Sequence, residues 1–209
     1  YMDAAGDFND DGIDDIILGS PQGFFGPAAP GRAYIIYGQS EGFPANWSVQ
    51  DIDGNNGFEI VGDFDNERIG SAVAGIGDIN ADGIDDIVIA KGGGNLNGTE
   101  STALRAHVLF GRNTDTEGHF PASLFVSEIN GLNGFSIGSG NNTPSQVSAM
   151  RVSGGADLNA DGIDDLILGE PGFHADEGRY AGHIYVVYGR RTNADEVFPF
   201  EVDVLSLTG

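Results

Sequence analysis

Gly6-Asp7-Phe8-Asn9-Asp10-Asp11-Gly12-Ile13-Asp14-Asp15-Ile16-Ile17-Leu18-Gly19 recurs twice, without gaps, in a chain of 209 residues. The copies are Gly77–Ala90 (GDINADGIDDIVIA) and Ala156–Gly169 (ADLNADGIDDLILG). Two further markers follow each copy in the same order. One is Tyr34-Ile35-Ile36-Tyr37-Gly38, then His107-Val108-Leu109-Phe110-Gly111, then Tyr185-Val186-Val187-Tyr188-Gly189. The other is Phe43-Pro44, Phe120-Pro121 and Phe198-Pro199, spaced 77 and 78 residues apart. Self-similarity at a fixed period of this size marks a repeat architecture, in which one unit buries its faces only against its neighbours. The repeats divide the chain into residues 1–54, 55–131 and 132–209. Their phase gives the expectation that the array continues beyond both ends.

Within a repeat the periodicity is that of β-structure. In the middle copy Ser71–Ile76 is rich in small residues, and Asp86–Ala90 is a short continuous apolar run, as in a strand buried on both faces. Ala103–Phe110 reads as a third strand, and Ser123–Ile129 alternates and reads as a fourth. Clusters of Gly, Asn and Pro separate them, and Gly makes up 34 residues of the chain. No stretch keeps helical spacing between helix caps. Four short strands per repeat predict an all-β fold of propeller blades, each of four antiparallel strands. A β-solenoid would show a shorter repeat.

The acidic loops carry the chemistry. Each reads Asp-x-Asn-x-Asp-Gly-Ile-Asp-Asp. Oxygen-bearing side chains stand at the first, third, fifth and ninth positions, and a glycine at the sixth permits a sharp bend. Calcium takes six to eight oxygens at about 2.3–2.6 Å in a flexible geometry, which such a loop supplies. The expected ligands are Asp7, Asn9, Asp11, the carbonyl of Ile13 and Asp15 in the first loop. Asp78, Asn80, Asp82, Ile84 and Asp86 follow in the second, and Asp157, Asn159, Asp161, Ile163 and Asp165 in the third. Three Ca2+ sites are thus expected. An EF-hand begins alike but needs a Glu at its twelfth position and flanking helices. Here that position is Leu18, Ile89 or Leu168, inside an apolar run. Magnesium, with its strict octahedral demand, fits less well. Asp10, Asp14, Asp85 and Asp164 read as outward-facing, solvated acids.

Charge supports the loops as the centre of interest. The chain has 9 Lys+Arg against 32 Asp+Glu, a formal net charge of −23. The three loops hold 13 of those acids and no base. Two carboxylates ~4 Å apart repel by about 4 kcal/mol at an effective dielectric of 20, so a cation would favour loop closure. Such a charge argues against nucleic acid and against an anionic membrane surface as partners. The hydrophobic share, 40%, argues against disorder. There is no cysteine, so no disulfide and no thiolate zinc site. No apolar run approaches the roughly 20 residues that span a bilayer.

The sequence resembles the FG-GAP repeats of the integrin alpha-chain β-propeller and their bacterial relatives. Arg68-Ile69-Gly70-Ser71 stands where the family has Phe-Gly-x-Ser. The acidic loop follows, then Gly19-Ser20-Pro21, Ala90-Lys91-Gly92 or Gly169-Glu170-Pro171 at the Gly-Ala-Pro position, then a Gly-x-x-Tyr strand as in Gly182–Gly189. Ile69, Lys91-Gly92 and Ala103-Leu104-Arg105 depart from that pattern, as does Pro144–Ser153 in the third repeat. The resemblance implies about three blades of a seven-bladed propeller, with calcium in hairpin loops on one face and ligands commonly on the other.

The expected function is a calcium-stabilised segment of an extracellular, secreted or cell-surface protein acting in adhesion or protein interaction. It is expected not to be an enzyme. Its partners would be a protein or glycan at the cell surface or matrix, together with further blades. A lectin-like propeller and the accessory propeller of a larger secreted enzyme are the alternatives. Smaller features read as background. His174, Asp176, Glu177 and His183 match no zinc spacing, His107 reads as a packed histidine, and Trp47 with Phe43 reads as packing. The sequons at Asn46, Asn97 and Asn141 are of a kind that arises by chance. No Arg-Gly-Asp tripeptide, nucleophile elbow or phosphate loop occurs.

Overall fold

The computed structural model describes residues 1–21, 29–92, 105–138, 150–170, 182–192 and 197–203. It is all-β apart from short helical turns. Strands β1 (Met2–Gly6), β2 (Asp15–Ser20), β3 (Arg32–Ile36) and β4 (Gly57–Val61) form a first antiparallel meander. A second consists of β5 (Ile69–Gly77), β6 (Asp86–Lys91) and β7 (Arg105–Leu109). A four-residue helix α1 (Thr114–Glu117) and a three-residue strand β8 (Ser123–Phe125) come next, and β9 (Gly134–Gly138) completes the second meander beside β7. The third sheet has β10 (Arg151–Ala156), β11 (Asp165–Glu170) and β12 (His183–Val187), and the last described strand is β13 (Glu201–Asp203).

The second sheet lies between the other two. Alternation along β6 makes this explicit: Ile87 and Ile89 enter the core shared with the first sheet, while Val88 and Ala90 enter the core shared with the third. A strand with both faces buried needs apolar residues at every position, which is why this one reads as a continuous run. The strands that begin each sheet approach one another closely. β5 packs against β1 and β2 on one side and β10 on the other. A Cβ on Gly75 would overlap the backbone of Ala4 and Ala5, and one on Gly154 would overlap Ile76. The small residues of these strands are therefore a condition of sheet-to-sheet contact.

One expectation about strands changes. The segment Ser123–Ile129 is not the fourth strand of its own sheet. Its first three residues form β8, which pairs parallel with β4 of the preceding sheet, and residues 126–128 turn into a 3-10 helix. Leu124, Val126 and Ile129 are buried, as their spacing implies, but in the core between the first and second sheets. The actual fourth strands are β4 and β9. β13 repeats the parallel addition, pairing with β9. The outer strand of each of these two sheets is thus covered by a short strand from later in the chain, which removes a pairing-competent edge there. The sheet breaks fall after Val61 and Gly138, so sheets and the sequence divisions 1–54, 55–131 and 132–209 are out of phase by one strand.

His107 on β7 is a packed histidine: it is buried, and its Nδ1 lies 2.9 Å from the Ser136 hydroxyl. Burial, with the nearby charges of Arg105 and Lys91, lowers its pKa to about 4. Below about pH 6.5 the unfolded chain takes up this proton and the folded chain does not. This group's contribution to stability therefore falls as pH drops from about 6.5 toward 4, by on the order of 3 kcal/mol. His107→Gln should flatten that part of the stability–pH curve in urea titrations. Gly75→Ala, which places a methyl against backbone that cannot swing aside, should cost about 1–3 kcal/mol by the same measurement.

Candidate metal centre

Each acidic loop joins the first two strands of a sheet: 7–14 between β1 and β2, 78–85 between β5 and β6, and 157–164 between β10 and β11. The loop turns tightly because two of its residues take positive φ. Gly12, Gly83 and Gly162 have φ of 87°, 96° and 87°, while Asp10, Ala81 and Ala160 at the fourth position have 56°, 59° and 62°. Left-handed backbone at a non-glycine residue costs roughly 1–2 kcal/mol, so the loop's other contacts must offset it.

Those contacts are the same three times over. The first-position carboxylate accepts from two N–H groups. Asp7 takes Asp11 N–H and Gly12 N–H, both at 2.9 Å. Asp78 takes Asp82 at 3.0 Å and Gly83 at 2.8 Å, and Asp157 takes Asp161 at 3.1 Å and Gly162 at 2.9 Å. The third-position Asn donates its Nδ2 to the fifth-position carboxylate at 2.9, 2.8 and 2.8 Å. That carboxylate accepts the N–H of Ile13, Ile84 or Ile163 at 2.9 Å in all three loops.

The ninth-position aspartate sits beneath. Asp15, Asp86 and Asp165 are buried, and both oxygens of each are engaged. One accepts the second-position N–H, from Phe8, Ile79 or Leu158, at 3.1, 3.0 and 2.8 Å. The other accepts the N–H of Gly38, Gly111 or Gly189 at 2.8, 2.9 and 2.9 Å. That glycine closes the third-strand marker in the sequence, and a Cβ on it would overlap the carbonyl of Asp14, Asp85 or Asp164. Burial raises the Asp15 pKa to about 7, with the charges of Asp11 and Asp7 adding to the rise against its backbone hydrogen bonds. Asp86 is likewise pushed up, first by burial and then by Asp82 and Asp78.

Each loop thus holds its first-, third- and fifth-position side chains in one hydrogen-bonded turn, Asp7, Asn9 and Asp11, Asp78, Asn80 and Asp82, or Asp157, Asn159 and Asp161, with Asp15, Asp86 or Asp165 at its base. Leu18, Ile89 and Leu168 lie on strands β2, β6 and β11, away from the loop ends. Among the described residues no group of three or more His, Cys, Asp or Glu forms a ready metal cluster. The carboxylates are instead turned onto the loop's own N–H groups. Each such bond uses one lone pair of an oxygen and leaves the other for a cation. Hard oxygen donors, with mutual repulsion felt at Asp15 and Asp86, are the chemistry that suits calcium.

Asp85 and Asp164 correct the sequence reading. They are half-buried, and each accepts a backbone N–H from the preceding loop. Asp10 accepts from Asn113 Nδ2 at 2.6 Å, while Asp14 is exposed. The available signal was that the eighth position is Asp in all three copies, whereas the fourth varies. The Phe-Pro marker behaves in the same staggered way. Phe120 stacks on Phe58 of the preceding sheet at 4.5 Å and 9°, and Phe198 on Phe135 at 4.3 Å and 5°. Phe43 meets no such ring among the described residues and is 43% exposed. Trp47 is half-buried. His183 at the start of β12 lies 3.1 Å from the Tyr185 hydroxyl; His174, Asp176 and Glu177 lie outside the described residues.

These are β-hairpins stacked as repeats, each rooted in an acidic loop. Residues 3–36 and 149–187 match the family model of the FG-GAP repeat. Those two segments are therefore FG-GAP repeats. Both matches cover the three-strand unit with its loop, β1–β3 in one case and β10–β12 in the other. No curated protein matches the chain. Among the described residues no helix is long and apolar enough to cross a membrane.

Asp86→Asn should destabilise the protein by about 1–3 kcal/mol, because one amide NH2 would face a buried N–H donor. Chemical denaturation without added metal reads this directly, and a solvated acid would give no change.

Proposed function

We propose that this chain is a calcium-binding segment of a β-propeller, in an extracellular protein that binds a protein or glycan at the cell surface or matrix. The role is binding and not catalysis, and calcium is structural. The observation that carries this reading is the threefold recurrence of one loop, with the same hydrogen bonds about the same four oxygen-bearing side chains. Asp7, Asn9, Asp11, Asp15 and the Ile13 carbonyl would hold the first ion. Asp78, Asn80, Asp82, Asp86 and Ile84 would hold the second, and Asp157, Asn159, Asp161, Asp165 and Ile163 the third.

When bound, the ion supplies positive charge where Asp7 and Asp11 repel Asp15 and where Asp78 and Asp82 repel Asp86. Three divalent ions would take the formal charge from −23 to about −17. The chain's own residues do the rest. The ninth-position aspartate pins the loop to the end of the third strand, and the left-handed residues curl the first and fifth positions together. Antiparallel meanders packed face to face through their small-residue first strands support the propeller reading, as does the parallel strand passed from one repeat to the preceding sheet.

Extracellular modules bind calcium at about 0.1–1 mM, so filled sites imply a calcium-rich compartment. At tenfold above its dissociation constant each site adds about 1.4 kcal/mol. Three sites should therefore raise the melting temperature by on the order of 10 °C over protein in excess chelator. Asp11→Ala should remove one of three equivalents in calorimetric titration. An unchanged melt between chelator and millimolar calcium would overturn the proposal.

A further inference from the structure

The first and second acidic loops are each finished by the repeat that follows. Asp85, at the eighth position of the second loop, accepts the Asp7 N–H at 2.8 Å across 78 residues of sequence. Asp164, in the third loop, accepts the Asp78 N–H at 3.1 Å across 86 residues. Gly6 and Gly77 make room for them: at φ of 68° and 66°, a Cβ on either would overlap the incoming carboxylate. The same neighbour takes the next two carbonyls. Arg112 N–H donates to Phe8 O and Thr114 N–H to Asn9 O, both at 3.1 Å. One repeat on, Arg190 N–H donates to Ile79 O at 3.0 Å and Thr192 N–H to Asn80 O at 2.9 Å. The first three residues of a loop are thus clamped from outside their own repeat.

The third loop differs from the other two in its surroundings. Among the described residues nothing takes the equivalent places at Asp157, Leu158 and Asn159. Leu158 is 50% exposed, where Phe8 and Ile79 are fully buried. Asn159 is exposed, where Asn9 and Asn80 are 4% and 3% exposed. The internal hydrogen bonds of the three loops are alike.

We propose that Asp85 and Asp164 are positioning residues for the cation site of the preceding repeat, so that each filled loop depends on its successor. This rests on the calcium reading. A loop whose entry backbone is already fixed loses less conformational freedom on binding an ion. Outer partners of metal ligands commonly set affinity by about 10–100-fold. The dependence runs one way along the chain: Asp85 serves the first loop although it stands in the second. A merely adhesive role between sheets would lower stability without singling out one site.

The test is a calcium titration of the full chain followed by amide NMR, with Gly12, Gly83 and Gly162 as one reporter per loop. Asp85→Ala should weaken calcium binding about tenfold or more at Gly12 and leave Gly83 and Gly162 within twofold. Asp164→Ala should move the loss to Gly83. Asp14→Ala should leave all three reporters unchanged. Asp85→Asn, whose amide oxygen still accepts the Asp7 N–H, should restore most of the loss at Gly12. A loss confined to Gly83 in Asp85→Ala, or equal losses at all three reporters, would overturn the inference. If the wild-type protein binds no calcium, the calcium reading fails on its own. Hydrogen exchange then decides the clamp: faster exchange at Asp11 and Gly12 in Asp85→Ala than in Asp85→Asn sustains it, and equal rates sink it.

Discussion

A carboxylate buried at the root of a β-hairpin, both oxygens taken by backbone N–H groups, ties three pieces of chain to one point. Asp15, Asp86 and Asp165 each join their own second strand, the start of the loop and the end of the third strand. Burying that charge is expensive, and the adjacent loop acids make it more so. The hydrogen bonds offset part of the cost. The rest explains why Asp15 and Asp86 hold their protons so far above the ordinary carboxylate range. A cation, as proposed, would supply the remaining compensation, which links the hairpin's architecture to the proposed function.

The second theme is stagger. The sheet edge, the aromatic stack and the loop clamp all reach back to the preceding sheet or its loop. β8 and β13 cover the outer strand of the preceding sheet. Phe120 and Phe198 stack on rings of that sheet, with Arg112 and Arg190 lying over them at 3.8 and 4.3 Å. A repeat unit defined by sequence period is therefore not the unit that packs. Stability is shared across each joint, as expected of an array whose units cannot bury their faces alone.

Much of the site was legible in the residues. The spacing of Asp7, Asn9, Asp11 and Asp15, repeated twice, located the loops and separated them from an EF-hand, because a tight turn between two strands has few sequence solutions. The first three strands were legible too, since apolar runs and glycine ends are local properties. The fourth strand was not. Ser123–Ile129 has the alternation of a half-buried strand, and it is half-buried, but against a neighbour's edge. Gly134–Gly138, short and glycine-bounded, carries little periodicity of its own. Asp85 and Asp164 looked solvated for a similar reason: their partners lie 78 and 86 residues away.

What the sequence determined by itself is the local chemistry: three oxygen-rich turns, short strands around them, and a period that demands stacking. Backbone conformational preference and hydrophobic periodicity act over a few residues, so they can be read along the chain. What only the tertiary structure decided is which edge receives β8 and β13, and which backbone amide each eighth-position aspartate meets. Those outcomes follow from which hydrogen-bonding groups are left open once the sheets have packed, and a linear pattern does not encode that competition.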